Sequence, residues 1–139
     1  MRELLFRGQT RKFGEKLNLK GEELPGKWVY GGVFQPNTEA DFSIIYSYED
    51  CEKYRVYTDT VSQYTGMKDK YGVKIFEGDI VYVYKNYRYT FYITWDYCSF
   101  LLKNKKRTRR LLDCITAEDS ICYDCEIIGN IYDTPWLLN

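Results

Sequence analysis

Residues 89 to 96 carry the clearest alternation in the chain. Tyr89, Phe91, Ile93 and Trp95 fall on one side of an extended backbone, and Thr90, Tyr92, Thr94 and Asp96 fall on the other. A period of two marks a half-buried strand, with the first set facing the core. Cys98, Phe100 and Leu102 carry the rhythm into a following strand. Ile80 to Tyr84 has bulk on both faces, which predicts a strand buried on one side and covered or partnered on the other. Weaker strand patterns occupy Glu3–Phe6, Lys27–Phe34, Phe42–Tyr46, Tyr54–Tyr57 and Glu126–Asp133. No stretch sustains a 3.6-residue period, so helix is expected to be scarce. Leu111, Leu112 and Ile115 fit either a strand end or a short helical turn, and spacing does not choose between them.

Turn chemistry separates these runs. Gly14, Gly21 and Pro25 break the polar stretch from Gly8 to Gly26 into a long loop or an irregular hairpin. Gly31-Gly32 interrupts its strand and marks a bulge or a close backbone approach. Gln35–Thr38 reads as a turn and Glu49-Asp50 as an exposed reversal. Lys68–Gly72 reads as a hairpin. Glu77-Gly78-Asp79 is a second tight turn, in which Gly78 permits the reversal and Asp79 bonds backbone donors. Trp136-Leu137-Leu138 is expected to tuck back onto the core. The pattern predicts a mainly β protein: a small, strongly bent SH3-like barrel over residues 63–139, with an N-terminal β-rich segment over 1–62 packed on it. The alternative is some other mixed antiparallel sheet.

Composition fits that picture. Aromatic residues make up 18% of the 139 positions, including 15 tyrosines, more than one small core encloses. Tyrosine suits pleated, half-buried surfaces and contact surfaces alike. Tyr82, Tyr84, Tyr92 and Tyr97 are the candidates for an exposed interface. Lys and Arg number 20 against 20 Asp and Glu, and the two halves are each balanced, so no chain-wide pull on nucleic acid or on an acidic membrane follows. No apolar run approaches the roughly 20 residues of a membrane-spanning helix, and the N-terminus has no signal-peptide core. A cytoplasmic protein with free thiols at its five cysteines is the expectation.

Three blocks resemble the YopX family. Met1-Arg2-Glu3-Leu4-Leu5-Phe6-Arg7-Gly8 is similar to its opening. The run from Gln63 through Tyr64-Thr65-Gly66-Met67-Lys68-Asp69-Lys70-Tyr71-Gly72 to Glu77-Gly78-Asp79-Ile80-Val81 is similar to its core. Glu126-Ile127-Ile128-Gly129-Asn130-Ile131-Tyr132-Asp133 is similar to its ending. Tyr71 departs from the asparagine usual ahead of that glycine, which leaves the hairpin type open. The resemblance implies a phage- or prophage-encoded protein of Gram-positive bacteria with an SH3-type C-terminal part. It assigns no catalytic residue. The glycines of these blocks read as backbone requirements.

Candidate chemistry is sparse. The chain has no histidine, which removes His-based triads, Cys–His pairs and imidazole metal sites. Glu77 and Asp79 read as turn capping, since no second acidic cluster joins them. Cys122-Tyr123-Asp124-Cys125 is a single CxxC. Without a second hook it reads as spectator thiols rather than a zinc site. No cofactor or metal is expected, and no enzyme activity. The one strong charge feature is Lys103-Asn104-Lys105-Lys106-Arg107-Thr108-Arg109-Arg110, with six cations in eight residues. It reads either as a phosphate-tracking element with Lys103, Lys105, Lys106, Arg107, Arg109 and Arg110 in contact, or as a solvated hairpin tip. An ordered basic face beside exposed aromatics would favour the first. The leading expectation is a non-enzymatic β module that binds an unknown protein partner or a second copy of itself, the alternative a nucleic-acid-binding module.

Overall fold

The computed structural model describes residues 3–10, 27–34, 41–84, 89–96, 98–111, 117–118 and 120–138. The turn expected at 35–38, most of the stretch 8–26, and Leu112, Cys114, Ile115 and Tyr97 lie outside them. The chain divides into two compact units, Met1–Gln63 and Tyr64–Asn139. Among the described residues the elements are strands and two 3-10 turns, Leu111 has helical backbone, and no helix is long and apolar enough to cross a membrane.

The first unit contains β1 (Phe6–Gln9), β2 (Trp28–Phe34), β3 (Phe42–Ser47), β4 (Lys53–Tyr57), a 3-10 turn (Thr58–Thr60) and the start of β5 (Ser62–Lys68). These pair antiparallel in the order β5-β1-β2-β3-β4. Val29, Ile45 and Val56 form the buried centre, with Val33, Tyr54 and Val61 packed on it. The sheet curls until Gly8 of β1 meets Val56 of β4: a Cβ on Gly8 would lie 2.7 Å from Val56 Cγ2. Gly31-Gly32 does not break β2. It is the close backbone approach that two adjacent glycines suggested, because a Cβ at Gly31 would lie 1.7 Å from the Tyr46 carbonyl oxygen.

The second unit continues β5 and adds β6 (Lys74–Phe76), β7 (Asp79–Val83), β8 (Tyr89–Asp96), β9 (Ser99–Lys103), β10 (Thr108–Arg110), β11 (Ala117–Glu118), β12 (Ile121–Cys122), β13 (Cys125–Asn130) and a 3-10 turn (Pro135–Leu138). Five strands form an antiparallel sheet in the order β10-β9-β8-β7-β13. Phe91 and Ile93 sit in its core with Ile75, Val81, Val83 and Leu102, as the alternation in β8 requires. Tyr89 and Trp95, at the ends of the same face, are exposed. They lean edge-on against Phe91 and Phe100. The final 3-10 turn packs back on β8 and β13.

The expected barrel closure is not what these pairings draw. Among the described residues no pairing joins β10 to β13, and both sheets are open. The outer edge of β13 is met instead by the hairpin between β5 and β6. There Lys70 N–H donates to the Cys125 carbonyl, and Ile127 N–H donates to the Asp69 carboxyl at 3.2 Å. Those hydrogen bonds occupy positions a closing strand would need.

Candidate functional site

The basic run forms the β9–β10 hairpin, with Lys103 opposite Thr108. Asn104 braces its loop. The side-chain oxygen accepts from Lys106 N–H at 2.9 Å and Arg107 N–H at 2.8 Å, while the side-chain nitrogen donates to the Thr90 carbonyl on β8. Asn104 N–H also donates to the Arg107 carbonyl. A loop tied at four points is an ordered tip, because each bond fixes backbone that a solvated reversal leaves free. Lys103, Lys105, Lys106, Arg109 and Arg110 are exposed. Arg107 is half-buried, its guanidinium 5.0 Å from the centroid of the exposed Tyr89 ring.

The strand register divides the cations. Directly opposed residues share a face. Lys103 stands opposite Tyr92, and Arg110 opposite Leu101, so those two cations and Tyr92 project from one side. Arg109 stands opposite Leu102 on the other side. The run is therefore two small basic surfaces around one hairpin rather than a single patch.

Of the tyrosines singled out, Tyr84 is exposed, Tyr82 and Tyr92 are half-buried, and Tyr97 lies outside the described residues. Tyr82 packs edge-on against Tyr84 at 4.7 Å. The Tyr84 hydroxyl donates to the Glu126 carboxylate, and that bond, with some burial, holds its phenol above the ordinary pKa. Lys70 Nζ lies 4.0 Å from the Tyr84 ring centroid, 5.0 Å from that of Tyr71 and 4.0 Å from Glu126 Oε2. Nothing in the local pattern announces this cluster, since its members come from the β5–β6 hairpin, the end of β7 and β13.

The CxxC thiols are buried in the core of the second unit. Burial, reinforced by Asp69, pushes Cys122 up to about 12, and burial pushes Cys125 up as well. A protonated, enclosed thiol neither attacks nor ligates readily. Among the described residues no group of three or more Cys, Asp or Glu is placed to hold a metal ion. Thiol mapping by mass spectrometry at pH 8 should find the exposed Cys51 and Cys98 labelled within minutes and Cys122 and Cys125 only after unfolding. Rapid native labelling of Cys122 or Cys125 would refute that placement.

Asp79, Gly72 and Gly78 hold turns. Asp79 is buried and accepts from Phe76 N–H at 2.7 Å, the capping role expected of it. Gly78, at φ +87, gives its N–H to Ile93 and accepts from Ile131. Gly72, at φ +81, takes the left-handed position of a three-residue loop, so Tyr71 needs no positive φ there.

Along 100% of both chains, the protein is similar to the crystal structure of protein EF1440 from Enterococcus faecalis, at 25% identity and a TM-score of 0.57. The chain belongs to the YopX family (YopX protein), which matches residues 23–139. The opening block Met1–Gly8 precedes the matched span. No curated protein matches the chain at a significant level.

Proposed function

We propose that this protein acts by binding, without a reactive centre of its own, as a phage or prophage accessory protein inside the bacterial host cell. The ligand we assign to the β9–β10 hairpin is nucleic acid. One observation carries this reading: Asn104 holds the loop in order, and Arg107 lies over the exposed Tyr89 ring beside Lys105 and Lys106. A fixed cluster of cations neutralises phosphates, and an aromatic beside it offers a base a stacking surface. Neither contact reads base edges, so binding here is tolerant of sequence.

The test is a salt titration of oligonucleotide binding by wild type and a K105Q/K106Q/R107Q variant. These substitutions leave the Asn104 backbone contacts in place. The expected result is weaker binding, with a log–log salt slope shallower by about 2, the value for three lost single-strand phosphate contacts. Equal affinity and slope, or no retention of wild type at low salt, defeats the assignment.

A second reading, a protein partner or a second copy, draws on the cluster around Lys70. Tyr71 is 68% exposed and Tyr84 44%, and Tyr84 N–H bonds the Asp124 carbonyl, next to the exposed Tyr123. Tyrosine-rich exposed patches of this kind are common in interfaces. A solution mass equal to the 16.7 kDa monomer removes the second-copy version.

A further inference from the structure

The five-stranded sheet of the second unit has a face opposite its core, and the strand registers read it out. One row across it, from β7 to β10, is Ile80, Tyr92, Lys103 and Thr108. Tyr82, two residues beyond Ile80 on β7, shares that face. One end of the row is covered. Leu137 of the C-terminal 3-10 turn lies over Gly129, which stands opposite Ile80, and Ile80 is fully buried. Past that cover Tyr92 is half-buried and Lys103 exposed.

Charge changes sign across this face. On β13, Glu126 stands opposite Tyr82, accepts from the Tyr84 hydroxyl and lies 4.0 Å from Lys70 Nζ. Lys103 and Arg110 sit on the other side, with the Tyr82 and Tyr92 rings in between. Arg110 belongs to the edge strand β10, where a cation discourages pairing with another chain. That explanation does not reach Lys103, because β9 is flanked by β8 and β10. Elsewhere Lys27, Lys53, Lys70, Lys74 and Arg107 each lie against a tyrosine ring. Tyr92 and Lys103 are directly opposed, yet among the described residues neither makes a side-chain hydrogen bond, an ion pair or a ring contact.

We infer that a single strand of nucleic acid continues from the hairpin tip onto this face, with phosphates along Lys103 and Arg110 and a base stacked on Tyr92. The inference rests on the nucleic-acid reading of the hairpin, because the strand reaches the face past Lys105 and Lys106. An unengaged ring beside an unengaged cation supplies the two contacts such a strand needs, stacking and phosphate neutralisation. Glu126 repels phosphate at the far side, so the backbone keeps to β9 and β10 and the bases point toward Tyr92. A duplex hides the ring faces of its bases and cannot use Tyr92 in this way. Base and phosphate are common to DNA and RNA.

Fluorescence anisotropy of the full chain at low salt, with labelled oligothymidine and oligouridine of about 8 nucleotides, tests the inference. Tyr92→Leu keeps an apolar side chain but removes the ring, and should weaken binding about fivefold or more in whichever arm wild type binds. Tyr92→Phe should keep wild-type affinity. Lys103→Gln should weaken binding and make the log–log salt slope shallower by about 0.7, the value for one single-strand phosphate contact. Melting curves show which variants fold, and Lys103→Gln, at an exposed position, decides if Tyr92→Leu does not. The inference alone falls if folded Y92L and K103Q bind like wild type while K105Q/K106Q/R107Q binds weakly, or if duplex competes as well as single strand. It stands, and the hairpin reading falls, if Y92L and K103Q lose binding and the triple variant does not. Absence of wild-type binding removes both. A solution mass above 16.7 kDa that Y92L returns to the monomer gives this face to a second copy and overturns the inference.

Discussion

Asp69→Ala is expected to lower the unfolding free energy by about 3 kcal/mol, a large share of the 5–15 kcal/mol typical of a domain. Asp69 is 2% exposed. Its Oδ1 accepts from Tyr71 N–H at 2.9 Å and Val73 N–H at 3.0 Å, and its Oδ2 accepts from Ile127 N–H at 3.2 Å. One side chain therefore closes the β5–β6 hairpin and fastens it to β13. Alanine strands three backbone donors, those of the exposed Tyr71 and Val73 and that of the half-buried Ile127. Asn at this position retains one acceptor oxygen but turns an amide nitrogen toward a donor, so Asp69→Asn should cost about half as much. Urea unfolding of the two variants checks the order. A loss below about 1 kcal/mol for Asp69→Ala would mean the hairpin is held by other contacts.

Gly31→Ala should be comparably damaging, by about 3 kcal/mol or more, whereas Gly32→Ala should be neutral or slightly stabilising. The contrast comes from geometry. The Cβ at Gly31 would lie 1.7 Å from the Tyr46 carbonyl oxygen and 2.7 Å from its carbon, both backbone atoms that cannot swing away. β2 would have to leave β3, with loss of the ladder that runs from Gly31–Ser47 to Phe34–Ile44. At Gly32 the nearest atom stands at ordinary contact distance. Thermal melting of the two single variants decides the matter. Equal melting temperatures would show that β2 and β3 are not so closely apposed.

Much of the fold was legible because its rules are local. Alternation in β8 named Phe91 and Ile93 as core, the Gly78-Asp79 turn carried its own chemistry, and adjacent glycines marked the close approach in β2. What stayed out of reach depends on partners distant in sequence. Whether a sheet closes is decided by what meets its edges, and the edge of β13 is met by Asp69 and Lys70, far back in the chain. The run from Lys103 to Arg110 looks like one patch when written in a line. Folding it into a hairpin sends Arg109 to the face opposite Lys103 and Arg110.

The family blocks also gain a physical meaning. Asn130 pairs with Asp79 and Gly129 with Ile80, so the middle and final blocks are neighbouring strands. A Cβ on Gly78 would press on Tyr132 at 2.8 Å, and one on Gly129 would meet Thr134 Oγ1 at 2.1 Å. These residues build the scaffold. The β9–β10 hairpin proposed to bind lies outside the blocks, whereas Lys70, Tyr71 and Glu126 of the second reading lie within them.

The most direct measurement of that account is the affinity of the wild-type chain for a single-stranded oligonucleotide as a function of salt. Cationic faces with stacking rings predict detectable binding at low salt, with log affinity falling linearly against log salt at a slope of about −2 or steeper. Binding that is absent at the lowest salt, or indifferent to salt throughout, would contradict it.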